Sequence, residues 1–534
     1  MREHLATLVE DFRRHAQQTA LVLHRGNRSY PTTYGQLADL SGRFAAELDR
    51  RGIAPGDRVL IWGHNSPEWI AAFFGCLLRG VLAVPLDAAG SPHFAARVLA
   101  DVAPRLIVGD TALLRTLPTA VPLLAFATLA SHLPAQPDFY PSPSVRPDTP
   151  FQIIFTSGTT SEPKGIVHTH RNVLASLTPI ENEIARYRKY ERWVHPLRFL
   201  HTLPLSHVFG QFMGLWVPAL LAAQLHFTDA PEPSRMLALL RGERISALVA
   251  VPRTLSLLEQ HLLRRFPSLA ARIAPAAALP AWRRWWRFRD VHRATGFRFW
   301  ALLCGGASLP QPSERFWNTL GFPLIQGYGM TETAALVTLN HPFRIAHGTL
   351  GKPLPGRQVR LSGTGEILVR GDMVSTLTWR HGRLQPQPQE WLATGDLAQT
   401  TPSGDLRFLG RSGDAIITSA GLNLYPADLE NALALQPGVR ASVVVSCPGP
   451  QGPEAVAVLL FSGNDHALQQ AVAQANLTLA PFQQVRRFLR WPKLDFPSTS
   501  TGKLLRREVA AWACSTLQSP STPSGDPLLA LIAE

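Results

Sequence analysis

Phe151-Gln152-Ile153-Ile154-Phe155-Thr156-Ser157-Gly158-Thr159-Thr160-Ser161-Glu162-Pro163-Lys164-Gly165 is an apolar run that stops abruptly in hydroxyls, a glycine and one lysine. Its first five residues have the length and the β-branched content of a strand. The stretch from Thr156 to Lys164 has the chemistry of an anion cradle, in which backbone N–H groups and hydroxyls donate and Lys164 adds a mobile cation. It is not the GxxxxGK[ST] loop, because Pro163 takes the second glycine position and Gly165 follows the lysine. Taken alone, the segment reads equally well as a solvated loop after a strand.

Upstream, Val59-Leu60-Ile61-Trp62 reads as a strand, Asn65-Ser66-Pro67 as a turn, the stretch to Arg79 as a helix ended by Gly80, and Val81 to Leu86 as a second strand. That is a β-α-β unit. Leu106-Ile107-Val108 and Ala247-Leu248-Val249-Ala250-Val251 alternate with helical segments in the same way, and strands apolar throughout belong to a sheet covered on both faces. The fold class is therefore α/β, with a large N-terminal domain of mostly parallel sheets covered by helices over residues 1–410. From Gly348 short strands and turns predict a small β subdomain within it. A small α+β C-terminal domain is expected over 411–516, and 517–534, with Ser519-Pro520-Ser521-Thr522-Pro523-Ser524-Gly525, reads as a linker or tail.

A chain of 534 residues exceeds what one hydrophobic core sustains, and 46% apolar residues exclude global disorder. The N-terminus lacks the pattern of a signal peptide, and the longest apolar stretches are too short to cross a bilayer as a helix. Cys76, Cys304, Cys447 and Cys514 lie far apart with no CxxC pair, which argues against disulfides and zinc and for a reducing cytoplasm. The 52 Lys and Arg against 38 Asp and Glu give a formal charge of +14. That balance suits nucleic acid, an anionic membrane or an anionic substrate, and does not choose among them.

The hydroxyl-rich loop resembles the signature of the AMP-forming adenylating superfamily, which includes acyl-CoA synthetases, peptide-synthetase adenylation domains and luciferases. Ser161 stands where that family usually has glycine. The resemblance implies that Thr156, Ser157, Gly158, Thr159, Thr160 and Lys164 grip the phosphates of ATP. Gly305-Gly306-Ala307 resembles the family's adenine loop, and Tyr328-Gly329-Met330-Thr331-Glu332-Thr333 its Y-G-x-T-E segment. In that segment the resemblance places Tyr328 near adenine, Thr331 at the α-phosphate and Glu332 on Mg²⁺. Thr394-Gly395-Asp396 resembles T-G-D, implying that Asp396 accepts from the ribose hydroxyls. Gly410-Arg411-Ser412-Gly413-Asp414 resembles G-R-x-x-D, with Arg411 on the ribose and Asp414 as a hinge on which the C-terminal domain moves. Gly421-Leu422-Asn423-Leu424-Tyr425-Pro426-Ala427-Asp428-Leu429-Glu430 fits G-x-N-x-x-P-x-x-x-E, a thiol-side loop at Gly421, with Ile417 where many relatives carry lysine. Pro497 to Arg506 resembles P-x-T-x-x-G-K-x-x-R, whose lysine, here Lys503, serves adenylation as a catalytic cation. These motifs keep the family's order over nearly the whole chain.

Amino-acid-activating relatives place an aspartate in the segment that reads here Leu203-Pro204-Leu205-Ser206-His207-Val208-Phe209-Gly210, which has no acid. An ammonium would be buried there unpaired, so a neutral acyl group is favoured. The segment looks most like medium- and long-chain acyl-CoA synthetases, in which His207 would line or gate an acyl tunnel. The implied reaction joins a fatty acid to AMP at the expense of ATP and Mg²⁺ and passes the acyl group to coenzyme A; a carrier-protein thiol is the alternative acceptor, and a catalytically silent membrane scaffold the remote one. Trp282-Arg283-Arg284-Trp285-Trp286-Arg287-Phe288-Arg289, leading to Val291-His292-Arg293, interleaves aromatics with arginines. It suits peripheral contact of a cytoplasmic protein with the anionic inner face of a membrane. A partly buried helix whose arginines cover apolar surface is the plain alternative, and no nucleic-acid partner is expected.

If Lys503 serves only the first half-reaction and Asp414 only the movement between the two, their substitutions separate the halves. Lys503→Ala should slow acyl-adenylate formation by about 10²–10³ and leave thioester formation from supplied acyl-AMP intact. Asp414→Pro, with φ fixed, should do the reverse. Pyrophosphate exchange and single-turnover thioesterification of both variants check this, and equal impairment of the two steps by either one contradicts its assignment.

Overall fold

A computed structural model describes residues 2–156, 164–191, 194–307, 309–341, 345–414, 416–417, 423–449, 452–480, 483–499 and 504–518. Six parallel strands, Thr19–Arg25, Gln224–Thr228, Arg198–His201, Ala247–Ala250, Ala301–Cys304 and Leu324–Tyr328, lie side by side in that order within a nine-stranded sheet. An eight-stranded sheet runs Leu123–Ala125, Leu106–Gly109, Arg58–Trp62, Leu82–Leu86 and Pro150–Thr156 in parallel, then Lys164–Thr169, Leu377–Arg380 and Arg383–Pro386 antiparallel.

The unbroken apolar runs are explained by burial on both faces. Val59 and Ile61 join the core between the two sheets, whereas Leu60 and Trp62 pack outward under the helix Pro92–Val102. The other sheet alternates likewise, with Ala247 and Val249 facing inward and Leu248 and Ala250 facing an outer layer of helices. Helix Pro67–Arg79 crosses the shared core and is buried from Trp69 to Arg79. Ser66 Oγ accepts from Trp69 N to start it, Pro67 occupies its first turn, and Gly80 ends it in the left-handed region.

A four-stranded antiparallel sheet comes next, ordered Gln358–Leu361, Glu366–Arg370, Leu392–Thr400 and Leu406–Arg411, in agreement with the short-strand pattern after Gly348. Beyond Asp414, a three-stranded sheet of Val439–Gly449, Gly452–Phe461 and Arg487–Arg490 packs with helices Pro426–Ala434, Asp465–Asn476 and Arg506–Gln518 around its own apolar clusters. The cysteines depart from the sequence expectation. Cys447, on the first of these strands, and Cys514, on the last helix, form a disulfide with their Cα atoms 5.3 Å apart. A separation of 67 residues leaves no local spacing to read, and the helix crossing the sheet brings the pair together. Cys76 and Cys304 are free and buried.

Several histidines are buried in or beside the large sheets. Burial holds the imidazoles of His168 and His201 down to about 4 and those of His170 and His226 to about 3. They are neutral in the fold and take up protons on unfolding below about pH 6.5. Their stabilisation is therefore complete above that value and is withdrawn as the pH falls toward 4, by roughly 1.4 kcal/mol per pH unit for each. Glu259, pushed up to about 7 by burial while accepting from Ser313 Oγ at 2.8 Å, acts in the opposite direction over part of this window. One carboxyl does not offset four imidazoles. The urea midpoint should drop steeply between pH 7 and pH 5, and a midpoint constant across that range would contradict the account.

Candidate active site

Each expected nucleotide residue of the large sheets sits where a parallel strand ends, the place at which open α/β sheets bind ligands. Thr156 closes its strand opposite Lys164, which opens the next one, so the expected phosphate loop joins two antiparallel strands. That explains why the segment lacks the glycine and helix start of the GxxxxGK[ST] loop. Ser157, Gly158, Thr159, Thr160 and Ser161 lie outside the described residues, as do Gly421 and Lys503; the side chain of Thr156 is likewise not described. Gly305, Gly306 and Ala307 follow the strand Ala301–Cys304, and Gly329 to Glu332 follow Leu324–Tyr328. Gly305 lies against the Phe209 ring, which a Cβ would meet at 3.0 Å, and a Cβ on Gly329 would stand 2.0 Å from Ala335 O. These glycines are imposed by close packing at the strand ends as much as by a ligand.

The structure brings three of the expected residues into direct contact. Tyr328 OH donates to Asp396 Oδ2 at 2.9 Å, and Arg411 Nε stands 3.2 Å from Asp396 Oδ1. Asp396 and Arg411 are register partners on adjacent strands, which is why two motifs well separated in sequence meet. Burial, then the charge of Asp396, raises the Tyr328 hydroxyl pKa far above its ordinary value, so the phenol stays protonated and donates. Thr394 Oγ1 donates to Ile367 O at 2.9 Å, Gly395 N donates to Glu366 Oε1 at 2.8 Å, and Asp396 N donates to Thr394 Oγ1 at 3.1 Å, so the whole T-G-D turn is fixed. A carboxylate accepts through two oxygens, the chemistry that the expected contact with ribose hydroxyls calls for. Glu332, half-buried, is held by its carbonyl, which accepts from Ser375 N at 2.8 Å; its carboxylate is the hard oxygen donor suited to Mg²⁺.

Residues that the motif reading passed over join the two sheets at this edge. His168 Nε2 donates to Thr331 O at 2.7 Å, which fixes the tautomer, so its Nδ1 accepts from Gln152 Nε2 at 3.0 Å. Gln211 Nε2 in turn donates to Gln152 Oε1 at 2.9 Å. The chain of bonds couples the phosphate-loop hairpin to the Thr331–Glu332 turn and to the segment after His207. Asn65 clamps that segment from the β-α turn, donating to Leu203 O at 2.7 Å and accepting from Leu205 N at 2.9 Å. His207 donates Nε2–H to Asp87 Oδ2 at 3.1 Å. Asp87 follows the strand Leu82–Leu86, and a carboxylate at the end of a buried strand was the signal available for it.

Asp414 belongs to a different cluster, 3.5 Å from Arg506, whose Nη1 also donates to Glu430 Oε1 at 2.6 Å. Glu430 and Arg506 close their respective motifs, and their pairing stitches the C-terminal unit together. Arg253, just after the strand Ala247–Ala250, ion-pairs with Asp495 and donates to Ser498 Oγ. Ser498 bridges Leu504 across the segment that carries Lys503. A guanidinium at the nucleotide edge thus reaches the flanks of that lysine.

A family model described as AMP-binding enzyme matches residues 8–377, a span that holds the phosphate-loop hairpin, the Gly305 turn and the Thr331–Glu332 turn. The chain belongs to the AMP-binding enzyme family. It is 27% identical over 498 residues to a feruloyl-CoA synthase of an Amycolatopsis species, covering 89% of this chain and 93% of that one. It is equally 27% identical over 501 residues, 89% and 92% of the two chains, to a long-chain-fatty-acid–CoA ligase of Mycobacterium tuberculosis. An anthranilate CoA ligase in complex with anthranoyl-AMP shares the fold with a TM-score of 0.76 at 21% identity, over 97% of this chain and 99% of its own. A benzoate CoA ligase from Burkholderia xenovorans does so with 0.76 at 22%, over 96% and 100%. A member of this family with such full-length relatives is an AMP-forming acid–CoA ligase, and its co-substrates are ATP, Mg²⁺ and CoA.

His168→Phe leaves the Gln152 amide and the Thr331 carbonyl without their partner, at roughly 1–3 kcal/mol of stability each, and releases the Thr331–Glu332 turn. Pyrophosphate exchange should fall at least about tenfold. His292, buried away from the nucleotide edge and donating to Leu320 O at 2.9 Å, is the control. His292→Phe should cost similar stability in a thermal melt and little rate. Equal loss of rate in both would make His168 merely structural.

Proposed function

We propose that the protein activates a medium- or long-chain fatty acid as acyl-AMP and transfers the acyl group to CoA. The observation that carries this reading is the character of the chain from 203 to 216 at the nucleotide edge. Its one charged contact, His207 with Asp87, uses the acid up internally, with Ala89 N also donating to Asp87 Oδ1 at 2.9 Å. Next to it stand Phe209, Phe212, Met213, Leu215 and Trp216, and the stretch Phe212–Trp216 is wound as a π-helix, a distortion frequent at functional sites. These side chains are core residues with no charge among them, surroundings that favour an apolar acyl chain over an ammonium.

In this reading residues 1–410 form the adenylate, with Lys164, Thr331, Glu332, Asp396 and Arg411 at the nucleotide. Residues 411–516 swing about Asp414, bringing Lys503 for the first step and the loop at Gly421 for the second, and 517–534 remain a tail. No described helix is long and apolar enough to cross a membrane, and contact with an anionic leaflet would be peripheral. Two alternatives have specific support. The feruloyl-CoA synthase relative favours an aromatic acid as strongly as the fatty-acid ligase favours an aliphatic one, the identities being 27% each. A carrier-protein thiol would use the same adenylation residues.

A panel of carboxylates scored by ATP-dependent AMP release, with and without CoA, decides among these. Medium- and long-chain acids should exceed ferulate and benzoate in kcat/KM by at least about tenfold, and CoA should accelerate turnover. Preference for ferulate overturns the acyl assignment, and turnover that only a phosphopantetheinyl carrier accelerates overturns the acceptor.

A further inference from the structure

Helix Ala281–Arg287, Ala-Trp-Arg-Arg-Trp-Trp-Arg, has no buried residue. Its neighbourhood is held to the body by others: Phe288, Val291 and Phe299 are buried in the outer core of the nine-stranded sheet, and Arg284 Nη1 donates to Asn318 O at 2.9 Å. Trp285 packs on His292 with one face, while Trp282 and Trp286 stay mostly exposed. Trp282, Trp285 and Trp286 are 62%, 40% and 59% exposed, and Phe297 and Trp300 are 64% and 38% exposed. Trp285 joins them, with ring centroids 5.4 Å from Trp286 and 5.9 Å from Phe297. At about 200 Å² for an aromatic side chain, the three joined rings alone expose roughly 300 Å², within the range of the largest apolar patches on soluble monomers and often functional. The plain alternative of a partly buried helix fits Trp285, and Trp282 and Trp286 are the rings it leaves exposed.

The charge around the patch has one sign. Residues 260–300 contain nine arginines, Arg264, Arg265, Arg272, Arg283, Arg284, Arg287, Arg289, Arg293 and Arg298, against the single acid Asp290, a surplus of 9 − 1 = +8 within a chain of +14. Asp290 is itself taken up by Arg272, which donates to both its oxygens at 2.6 and 2.9 Å. Arg283, Arg287, Arg289, Arg293 and Arg298 are exposed, and the Arg283 guanidinium lies over the Trp282 ring at 5.0 Å.

We infer that this face docks on an anionic lipid bilayer, with the rings at the interfacial level and the guanidiniums at lipid phosphates. Tryptophan prefers that depth, and each arginine near an anionic leaflet adds attraction. Single-stranded nucleic acid is disfavoured, because stacking needs open ring faces. Here Trp285 and Trp286 meet edge to face at 88°, and one face of Trp285 is covered by His292 at 27°. The inference deepens the fatty-acid reading and adds a direction to it. Trp300 precedes the strand Ala301–Cys304, and Gly305 to Ala307 follow its other end. The patch therefore lies at the opposite edge of the sheet from the nucleotide residues, about 13 Å away along that strand alone. A docked molecule presents its catalytic edge to water, where ATP and CoA are.

The test is co-sedimentation of the full chain with vesicles of phosphatidylcholine alone or mixed with phosphatidylglycerol, at low and high salt. Binding is expected to the mixed vesicles only and to weaken as salt rises. Arg283→Glu with Arg287→Glu and Arg293→Glu should lower it by roughly a hundredfold or more, and Trp282→Ser with Trp286→Ser should also remove it. Both variants should keep the thermal melt and the AMP release with a soluble short-chain acid, which shows that they fold. No binding of the unaltered chain at low salt, or binding that neither variant weakens, overturns the inference. So does tighter, variant-sensitive binding to a labelled single-stranded oligonucleotide, which would assign the face to nucleic acid. The vesicles carry no fatty acid, so a chain that binds them and prefers aromatic acids loses only the substrate reading.

Discussion

A neutral imidazole with both nitrogens engaged holds the catalytic edge together. His168 has no exposed surface, and water cannot substitute for either of its partners. Donation to the Thr331 carbonyl dictates which nitrogen carries the proton, and the other then requires a donor, supplied by Gln152. Gln152 has its own carbonyl satisfied by Gln211. A half-made version of such a chain is costlier than none, since each buried group left alone loses its full solvation. The strand pair Pro150–Thr156 and Lys164–Thr169, the turn carrying Glu332 and the segment after His207 therefore keep one relative arrangement, although they belong to two sheets.

The same economy of buried polar groups fixes the ribose end. The buried Asp396 carboxylate is partnered by Tyr328 and Arg411, which come from the nine-stranded sheet and from the neighbouring strand. The site is thus a set of strand ends made rigid by side chains that do no chemistry, and the rigidity is what allows electrostatic preorganisation toward a nucleotide.

The fold was legible because its strands are buried on two faces and read as unbroken apolar runs; Arg58–Trp62 and Leu82–Leu86 fell within a residue or so of their expected bounds. The family was legible through ordered motifs. Asp87, Asn65, Gln152, His168 and Arg253 were not, since each acts through a partner 59 to 245 positions away, and sequence spacing is silent about such pairs. The Cys447–Cys514 disulfide escaped for the same reason. Glu430 and Arg506 were visible as motif positions, and their meaning, an ion pair with each other, needed the packing of helix Pro426–Ala434 beside Arg506–Gln518.

The tie that Arg253 makes to Asp495 is solvent-accessible at both ends, with side chains 36% and 47% exposed. A pair of that kind is worth about 0–1 kcal/mol, a bias of no more than about fivefold between one placement of the C-terminal unit and another. A bond so shallow acts as a detent: it gives the unit a preferred stop without committing it. In the proposed swing of the C-terminal unit, progress would then be set by the bound nucleotide, because triphosphate, acyl-adenylate and released AMP differ in charge by far more than the detent can resist. On that proposal the clock of the enzyme is kept by its substrates, and the protein contributes the stops.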